Sequence, residues 1–512
     1  MIFMKDRYSH CMNKVRSILI LCLMLGCQAL SHAQRYEDVV KRNFWNDSEN
    51  IAGIRLDSLS CSYAEVYGGY EGGGFRDTWQ PEDSWNAGAV TASIMHFDRM
   101  SLKGAFSFEQ NEGYGMCGSM FIDPGYYPID VLEFTPGRKT LQTYYFDGGI
   151  SYELSRRWFI GARMDFESSN ISKRKDLRHT NWKLDMKVAP GLMYSNGNLS
   201  AGVSPIFRKT SETIDAEQIG ISESSYSAFL DKGLMYGIYQ VWTGSGIHLD
   251  ELGVNGLPVK ENSYGAAAQI QYRDAYLDFE FLSSRGSVGE KEYIWFEFPG
   301  MSVASDFRYG FAEGRQTHYL RMGFDWNLQN LDENVLEKVN VNGVNTVIPH
   351  GSNRIFSREQ VALNAGYEYV SDRLEAKAEF GWDMYKSLAS QIYPYVAARN
   401  MSRIHAQLGM VFHLGKFDLS MEFGCSEGDV EEEQRTVSEE VSLAAPYRLQ
   451  DWYDRQMEYM TAGRINGAVS VRYNFLKGIY IQADTGWIHA LDLDYITGAD
   501  RFAASLKVGY TF

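Results

Sequence analysis

The sequence predicts a transmembrane antiparallel up-and-down β-barrel of about 16–18 strands, and three observations support that prediction. The chain has 512 residues with 48 Gly, only 11 Pro and 14% aromatic residues, a mixture typical of repeated short strands. Apolar and polar residues alternate in segment after segment along the chain. Short links between these segments alternate with long ones, as expected for a barrel whose two ends face different compartments.

The alternation is clearest at the C-terminus. From Arg501 to Phe512 the even positions are apolar, whereas most odd positions are polar or small. Successive side chains of a strand point to opposite faces, so one set would face lipid and the other the lumen. The segment also matches the ~9–11 residues that cross a bilayer at a tilt. We interpret Val508, Tyr510 and Phe512 as an assembly signal, because they are similar to the C-terminal pattern of outer-membrane barrels.

The same alternation recurs in 17 segments of the chain. A barrel with both termini on one side needs an even number of strands, so we expect 16 or 18, with the missing strand within 329–357, around Val335–Val341. A soluble β-sandwich would alternate in the same way, so periodicity alone does not choose between the two. Pro190 and Pro205 each remove a donor from a ladder, which predicts a bulge or a poorly paired patch.

Connection lengths distinguish the barrel from the sandwich. Tight links such as 155–157 and 415–416 alternate with long segments, which predicts short periplasmic turns and long extracellular loops. A sandwich has no reason to sort its loops by length in this way. The expected long loops are 110–143, 168–181, 210–262, 285–316, 329–357, 386–401 and 426–462.

The first segment predicts the route of the protein. Lys14 and Arg16 precede an apolar run at 18–25, and small residues lead to a cleavage site near Ala33, as in a secretory signal peptide. The alternative is a lipoprotein signal with Cys27 as the lipid acceptor, although the residues before it fit poorly. The apolar run is far shorter than the ~20 residues of a spanning helix.

These features divide the chain into three parts. Residues 1–33 form the predicted signal peptide, 34–60 a short periplasmic or lumen-inserted segment, and 61–512 a barrel in the bacterial outer membrane. The segment 34–60 is too short to be the globular plug of a TonB-dependent transporter, and the strand count falls below the about 22 strands of that class.

Charge and cysteine content exclude several classes of function. Without residues 1–33 the chain holds 45 basic and 64 acidic residues, a net charge of −19, which argues against binding nucleic acid. Cys61, Cys117 and Cys425 remain in that part of the chain. Three widely spaced cysteines allow one disulfide at most and do not indicate a cysteine-based metal site.

Three further stretches stand out beside the C-terminal pattern. They are Asn43-Phe44-Trp45 with Asn50-Ile51-Ala52-Gly53, the segment Tyr152–Phe166, and Ala189-Pro190-Gly191. With them the chain resembles the Bacteroidota outer-membrane barrels classed as domains of unknown function, over nearly all of its length after the signal peptide. The resemblance implies an outer-membrane location, and it carries no catalytic residues to transfer.

Many charged residues fall on the predicted inward faces of the strands. An acidic set on consecutive strands would favour cations in an open pore. The simpler interpretation is hydration of the lumen together with ion pairs between strands. The candidates are Arg163, Asp165, Asp185, Lys187, Asp278, Glu280, Arg321, Asp325, Glu368, Glu375, Lys377, Glu379, Asp383, Asp418, Glu422, Arg472 and Asp484.

One pair of residues raises the question of catalysis. His405 and Asp383 both face inward on adjacent strands, where barrel proteases place an Asp/His pair that activates water. Such contacts are common in charged lumens, and no H-E-x-x-H motif occurs. We therefore expect no enzymatic activity, no cofactor and no metal site, with a membrane-embedded hydrolase as the remote alternative. The acidic loop 426–462 matches no EF-hand spacing, and its aromatic part predicts a short helix or a docking surface.

Two functions fit this sequence. The first is a porin-like channel or transport component for a small polar nutrient. The second is a surface scaffold with a blocked lumen that partners a lipoprotein or another cell-surface component. Both imply contact with outer-membrane lipid and with the outer-membrane assembly machinery.

Overall fold

The computed structural model describes most of the chain after residue 35. The predicted signal peptide and its lipoprotein alternative lie outside the described residues. In the described part, no helix is both long enough and apolar enough to span a membrane. The described ranges are 36–175, 177–217, 227–233, 240–243, 248–249, 254–255, 257–290, 293–341, 344–390, 394–436, 449–476 and 478–512.

Eighteen antiparallel strands form a closed barrel, which confirms the predicted fold class. They are β1 (Cys61–Gly73), β2 (Asp83–His96), β3 (Met100–Ser119), β4 (Asp130–Ser155), β5 (Trp158–Lys173), β6 (Arg178–Ser195), β7 (Leu199–Glu217), β12 (Leu257–Tyr272), β13 (Ala275–Glu290), β14 (Tyr293–Glu313), β15 (Gln316–Val341), β16 (Val344–Val370), β17 (Leu374–Ser390), β18 (Val396–Leu414), β19 (Phe417–Thr436), β20 (Arg464–Leu476), β21 (Ile479–Ala490) and β22 (Asp500–Thr511).

The barrel closes where its first and last strands meet. β1 pairs with β2 on one side and with β22 on the other, and Ser62 and Phe512 exchange backbone hydrogen bonds at that junction. β7 pairs directly with β12, across the connection that carries four short strands. Those strands are β8 (Ser227–Asp231), β9 (Gln240–Thr243), β10 (His248–Leu249) and β11 (Val254–Asn255).

The two ends of the barrel differ, as the connection lengths predicted. At one end, which we call the turn end, short links such as 156–157 and 415–416 join the strands. At the other, the loop end, the connections include 74–82, 120–129 and a segment with helix α2 (Leu449–Thr461). The short helix expected in the aromatic part of 426–462 is therefore confirmed.

Several expected loops are instead strands that continue past the rest of the wall. The region 285–316 contains β14, which is the eighteenth strand, so its placement around Val335–Val341 was wrong. Val335–Val341 is the end of β15, which pairs with β16 through most of 329–357. β14 does alternate, with Met301 and Phe311 outside and Asp306 inside, so the same pattern of apolar and polar residues marks it as a strand.

The other expected loops are also shorter than predicted. In 110–143, 168–181 and 386–401 the strands continue, and only 120–129, 174–177 and 391–395 separate their ends. Hydrogen-bonded pairing to a neighbouring strand keeps these segments extended beyond the part of the wall that faces outward with apolar side chains. Sequence alternation was therefore a poor guide to where each strand stops.

Outward-facing apolar side chains form a belt around the turn-end part of the barrel. Such a continuous exposed apolar surface is typical of a lipid-facing wall and rare in water-soluble proteins. At its turn-end margin aromatic rings pair, with ring centroids 5.2 Å apart for Trp158 and Tyr194 and 5.4 Å apart for Tyr510 and Phe512. Exposed members of the belt are Phe146, Ile150, Ile160, Leu192, Val203, Ile270, Phe279, Met322, Leu363, Phe380, Val471, Ile481 and Leu506.

The two prolines interrupt one ladder, which confirms the predicted poorly paired patch. The β6–β7 register passes from Val188 opposite Phe207 to Leu192 opposite Val203, with no pairs between. Within that gap the Ser204 hydroxyl donates to the carbonyl of Pro190 over 2.7 Å. A side chain thus satisfies one of the backbone acceptors that the ladder leaves unpaired.

Candidate functional site in the barrel lumen

Residues 36–57, which we call the N-terminal plug, lie inside the barrel. They form helix α1 (Tyr36–Arg42) and two 3₁₀ helices, Phe44–Asp47 and Ile51–Leu56. Asn43 and Asn50 cap the two 3₁₀ helices, since their side chains accept from the backbone N–H of Trp45 and Ala52. The segment contacts strands from β1 to β16, which only a position within the lumen allows.

Four glycines on consecutive strands make room for the plug. A Cβ atom at Gly149 or Gly161 would lie 2.6 Å from an Ile51 side-chain carbon. At Gly191 and Gly202 a Cβ atom would lie 2.1 and 2.4 Å from the Asn50 amide group. No side chain fits at such distances, so β4, β5, β6 and β7 together form a glycine-lined recess for residues 50–52.

Asn50 ties the plug to the backbone of the recess. Its amide donates to the carbonyls of Leu192 and Val203, 3.1 and 3.3 Å away, and its side chain is fully buried. These two carbonyls belong to the β6 and β7 residues that resume pairing beyond the proline gap. A plug residue therefore bonds to the wall where the ladder has just been interrupted.

Trp45 is the main apolar contact of the plug. It is fully buried, its ring lies 5.5 Å from that of Tyr276, and its Nε1 donates to Gln271 over 2.6 Å. Gly53 must be glycine for a similar reason, because a Cβ atom there would lie 2.1 Å from the Trp45 ring. The indole thus fixes the plug between the second 3₁₀ helix and strands β12 and β13.

Charged residues hold the outer part of the plug. Glu49 contacts Lys187 at 2.5 Å and Arg163 at 3.9 Å, and Arg163 also donates to the carbonyl of Ser48 over 3.0 Å. The Ser48 hydroxyl donates to Asp278 over 3.0 Å. Three of the predicted lumen residues are therefore contacts of the plug.

Lys41 adds a fourth such contact on the opposite wall. Its ammonium lies 2.5 Å from Glu368 and 4.0 Å from Glu375. Burial alone would lower the pKa of Lys41, but the hydrogen bond and charge of Glu368 outweigh it and leave the pKa raised. The lysine therefore remains charged in the lumen at neutral pH.

Most remaining candidates contact neighbours on the wall rather than facing open water. The Arg472 guanidinium lies 3.4 Å from the centre of the Tyr480 ring. Glu280 and Asp325 line the chamber described below. The other contacts join Asp165 to Arg163 and Lys187, Asp185 to Arg208, Arg321 to Asp306, Lys377 to Glu379, Asp383 to Arg403, Glu375 and Asp418 to His413, Glu422 to Gln407, and Asp484 to Lys507.

The pair considered for catalysis is held by a third residue. Arg403 contacts the Asp383 carboxylate at 2.7 Å, whereas His405 Nδ1 lies 3.5 Å from it. His405 Nδ1 has no hydrogen-bond partner among the described residues. Asp383 is thus oriented by a guanidinium and does not orient the imidazole as a general base would require.

A second segment closes the loop end. Residues 120–129, which we call the loop plug, fold inward between β3 and β4, and Phe121 and Tyr127 are buried in a large apolar cluster. The Ile122 N–H donates to Glu212 over 2.9 Å, and the Tyr126 hydroxyl donates to Glu261 over 2.9 Å. From the opposite wall, Arg358 donates to the carbonyls of Gly125 and Tyr126.

Helix α2 packs beside the loop plug. Its Tyr453 and Met457 form a buried cluster with Leu132, Phe229 and Met401. The Trp452 ring lies 4.8 Å from that of Phe134 in an edge-on arrangement. The loop end thus has an apolar core like that of a soluble domain, resting on strands that extend beyond the belt.

Between the two plugs lies a polar chamber. One part, of about 590 Å³, is lined by charges of both signs: Arg208, Glu280, Asp325, Asp383, Arg403 and Arg464. A smaller part of about 350 Å³ lies beneath the loop plug and α2 and shares Tyr385 and Met401 with the first. Both parts have volumes typical of small-molecule sites.

The described residues also show how the three cysteines are placed and whether metal-ligating side chains cluster. Cys61, Cys117 and Cys425 form no disulfide with one another, so the disulfide that the sequence allowed is not made. No cluster of three or more His, Cys, Asp or Glu side chains with metal-ligating geometry occurs in the described part of the chain.

A family model described as a family of unknown function (DUF6850) matches residues 51–512. The chain belongs to this family. That result confirms the expectation of an uncharacterised family, while the Bacteroidota origin stays a prediction. The stretches that carried the resemblance meet at the N-terminal plug, since they contain Trp45 and Asn50 and the recess glycines Gly161 and Gly191. No curated protein matches the chain.

Several solved structures share the barrel with this DUF6850 member. The FrpB iron transporter from Neisseria meningitidis is 9% identical, covers 90% of this chain and 83% of its own, and gives a TM-score of 0.42. The siderophore receptor PiuA from Acinetobacter baumannii is 9% identical, and its match covers 89% of this chain and 82% of the receptor, with a TM-score of 0.41. The CymD monoaromatic hydrocarbon channel is 8% identical, and its match covers 90% of this chain and 91% of the channel, with a TM-score of 0.31. We draw no functional conclusion from likenesses this distant.

Proposed function

We propose that this DUF6850 barrel is a gated outer-membrane transport component for a small polar ligand, described here in a closed state. In this proposal the turn end faces the periplasm and the loop end faces the exterior. The observation that carries it is a polar chamber inside the barrel, together with two plugs that hydrogen bonds and ion pairs hold in the lumen. An open pore would not need either plug.

Ion pairs help to hold the N-terminal plug in the lumen. Glu49, Asp47 and Lys41 each reach a wall residue of opposite charge, and Arg308 lies 3.3 Å from Asp47. The pair of Glu49 and Lys187 is partly buried, so removing one of its charges leaves the other without its partner. Neutralising these side chains should therefore weaken the seat of the plug, although Trp45 still anchors it.

Single-channel recording in planar lipid bilayers tests the proposal. We expect the wild-type barrel to be closed with rare openings, and the Asp47→Asn/Glu49→Gln variant to open about tenfold more often, because two plug contacts lose their charge. Glu37→Gln is the matched control, since Glu37 lies in the same segment but is exposed. Equal opening of both variants, with both folded, would contradict gating by the plug.

A surface scaffold is the second candidate, and closure at both ends also favours it. Strands β15 and β16 extend well past the belt, and the loop end has its own buried core, which together offer an ordered surface to a lipoprotein or another cell-surface partner. The same recordings separate the two. A scaffold passes no ions in any variant, including one that lacks residues 36–57.

A further inference from the structure

Four polar side chains form a row across adjacent strands at the loop end. Gln329 on β15 lies opposite Arg358 on β16, Arg358 opposite Ser387 on β17, and Ser387 opposite Arg399 on β18. All four alternate with the outward-facing residues of their strands, so they face the lumen, and all four are buried. The row thus brings two guanidinium groups and a hydroxyl to one strip of the inner wall.

Arg358 donates through its terminal nitrogens to Gln329 and to the loop-plug carbonyls of Gly125 and Tyr126, but other donors of the row lack acceptors. Nε of Arg358, Oγ of Ser387 and Nε of Arg399 have no hydrogen-bond partner among the described residues. Among the described residues, the polar and ring contacts of the Arg399 guanidinium are the Met457 sulfur at 3.9 Å, the Gly233 carbonyl at 3.5 Å and the face of the Tyr453 ring at 5.3 Å. Neither arginine has a carboxylate within ion-pair distance in the described part of the chain. Buried donors without acceptors are costly, and the oxygen atoms of an anion would supply acceptors for them.

The row borders a cavity of suitable size and shape. Arg358 and Arg399 both line the cavity of about 350 Å³ beneath the loop plug, with Trp79, Tyr127, Tyr385 and Trp452 around it. Guanidinium groups offer planar pairs of donors that match a carboxylate, and aromatic faces suit a flat or ring-shaped ligand.

Three carboxyl groups line the same cavity, and each accepts a hydrogen bond from its own surroundings. Asp77 accepts from the N–H and hydroxyl of Thr78, Asp130 from the Ser119 hydroxyl, and Asp231 from the Gly233 N–H. Their acceptor capacity is therefore already used in part by neighbours, and none of them contacts Arg358 or Arg399 at ion-pair distance.

We propose that this cavity binds a small organic carboxylate that carries a ring, with the Arg399 guanidinium as its main anion-binding group and Nε of Arg358 as a second donor. The inference rests on the proposed function only in supposing that a ligand reaches the lumen. The ligand is then an anion, although the chain as a whole carries a net negative charge.

Isothermal titration calorimetry of the full chain in detergent micelles tests the site. Glucuronate and benzoate are the probes, with glucose and benzamide as neutral partners of the same shape. We expect both carboxylates to bind the wild-type chain and both neutral partners to bind at least tenfold more weakly. Equal binding of a carboxylate and its neutral partner, or no binding of either carboxylate, would overturn the proposal.

Variants of Arg399 locate the site. Arg399→Gln removes the charge and should weaken carboxylate binding at least tenfold, while Arg315→Gln, at a turn-end arginine whose side chain is 89% exposed, should leave it unchanged. Arg399→Lys keeps the charge but lacks the planar donor pair, so it should bind the carboxylates more weakly than the wild-type chain. This variant tests the site even if Arg399→Gln does not fold. Binding in Arg399→Lys equal to that in Arg315→Gln would refute the assignment. Because binding is measured without a membrane, failure here is distinct from failure of gating.

Discussion

At the scale of single residues, the N-terminal plug depends on Asn50, which lies in a stretch that stood out in the sequence although its role did not. Asn50 caps a 3₁₀ helix with its oxygen and bonds two wall carbonyls with its amide nitrogen. The side chain is fully buried, so losing it leaves several polar groups without partners.

We expect Asn50→Ala to loosen the plug by roughly 2–4 kcal/mol, because a cap and two buried hydrogen bonds are lost. Hydrogen exchange of the amides in residues 44–56 should rise accordingly, while exchange in the barrel strands should not. Asn198→Ala, in an exposed turn, is the control. Unchanged protection of the plug in Asn50→Ala would show that Trp45 and the ion pairs suffice to hold it.

A methyl group added to the wall of the glycine-lined recess should displace the N-terminal plug. In Gly191→Ala the new Cβ would lie 2.1 Å from the Asn50 oxygen, so the plug must shift or leave, and channel openings should become more frequent. Gly104→Ala places its methyl group in open space and should behave as wild type. The comparison is made by recordings in planar bilayers, and equal opening of the two variants would argue against the recess.

The loop plug should respond to pH through two buried acids beyond the belt. The pKa of Asp130 and that of Glu212 are both raised to about 7, mainly by burial, and the charge of Asp231 contributes to the shift of Asp130. Asp130 lies 14 residues, roughly 46 Å of extended strand, from the outermost belt residue of β4, Tyr144.

The sign of the effect follows from proton binding. Between about pH 4 and pH 7 the folded acids keep protons that the unfolded chain would release, so stability falls as pH rises through this window. We expect the amides of residues 120–129 to be better protected at pH 5 than at pH 7.5, after correction for intrinsic exchange. Asp130→Asn should weaken this dependence, and Asp130→Asn/Glu212→Gln should abolish it. A dependence unchanged in the double variant would mean that other groups control it.

At the scale of elements, helix α2 is attached to the loop end by a few apolar side chains. Met457→Ala should destabilise its docking by roughly 2–4 kcal/mol, because Met457 is buried against Phe229 and Met401 and its loss leaves a cavity. Faster hydrogen exchange confined to residues 449–461 is the expected readout. Met95→Ala, at an exposed position, provides the comparison, and equal exchange in the two variants would contradict the packing.

The lengths of the strands could not be predicted from the alternation of apolar and polar residues. Alternation identified most strands near the turn end, where one face meets the belt and the other the lumen. Beyond the belt both faces of β15 and β16 are largely polar or mixed, as in Asp332 and Arg354, which pair with each other at 2.8 Å. The period-two signal fades there although the ladder continues, so these segments resembled loops.

At the scale of the whole molecule, the lipid-facing assignment of the belt can be tested directly. Phe380 is 56% exposed on the outer face of β17. Phe380→Arg should destabilise the barrel in lipid bilayers by roughly 2–4 kcal/mol, whereas Glu379→Arg, at the adjacent lumen-facing position, should cost much less. Urea unfolding in vesicles measures both. Equal costs, or a wild-type chain that stays monodisperse without detergent, would contradict a membrane barrel.

The sequence by itself determined the barrel class, the even strand number within two, the short turns, the interruption at Pro190 and the inward side of most charged residues. Each of these depends on local rules, namely the alternation of side chains and the missing N–H of proline. It gave a lumen insert at 34–60 only as one of two alternatives, and it did not reveal β14 as a strand, the loop plug, the glycine recess or the row that contains Arg358 and Arg399. Those depend on which residues lie opposite one another across strands far apart in the chain, and register is decided only when the closed barrel forms.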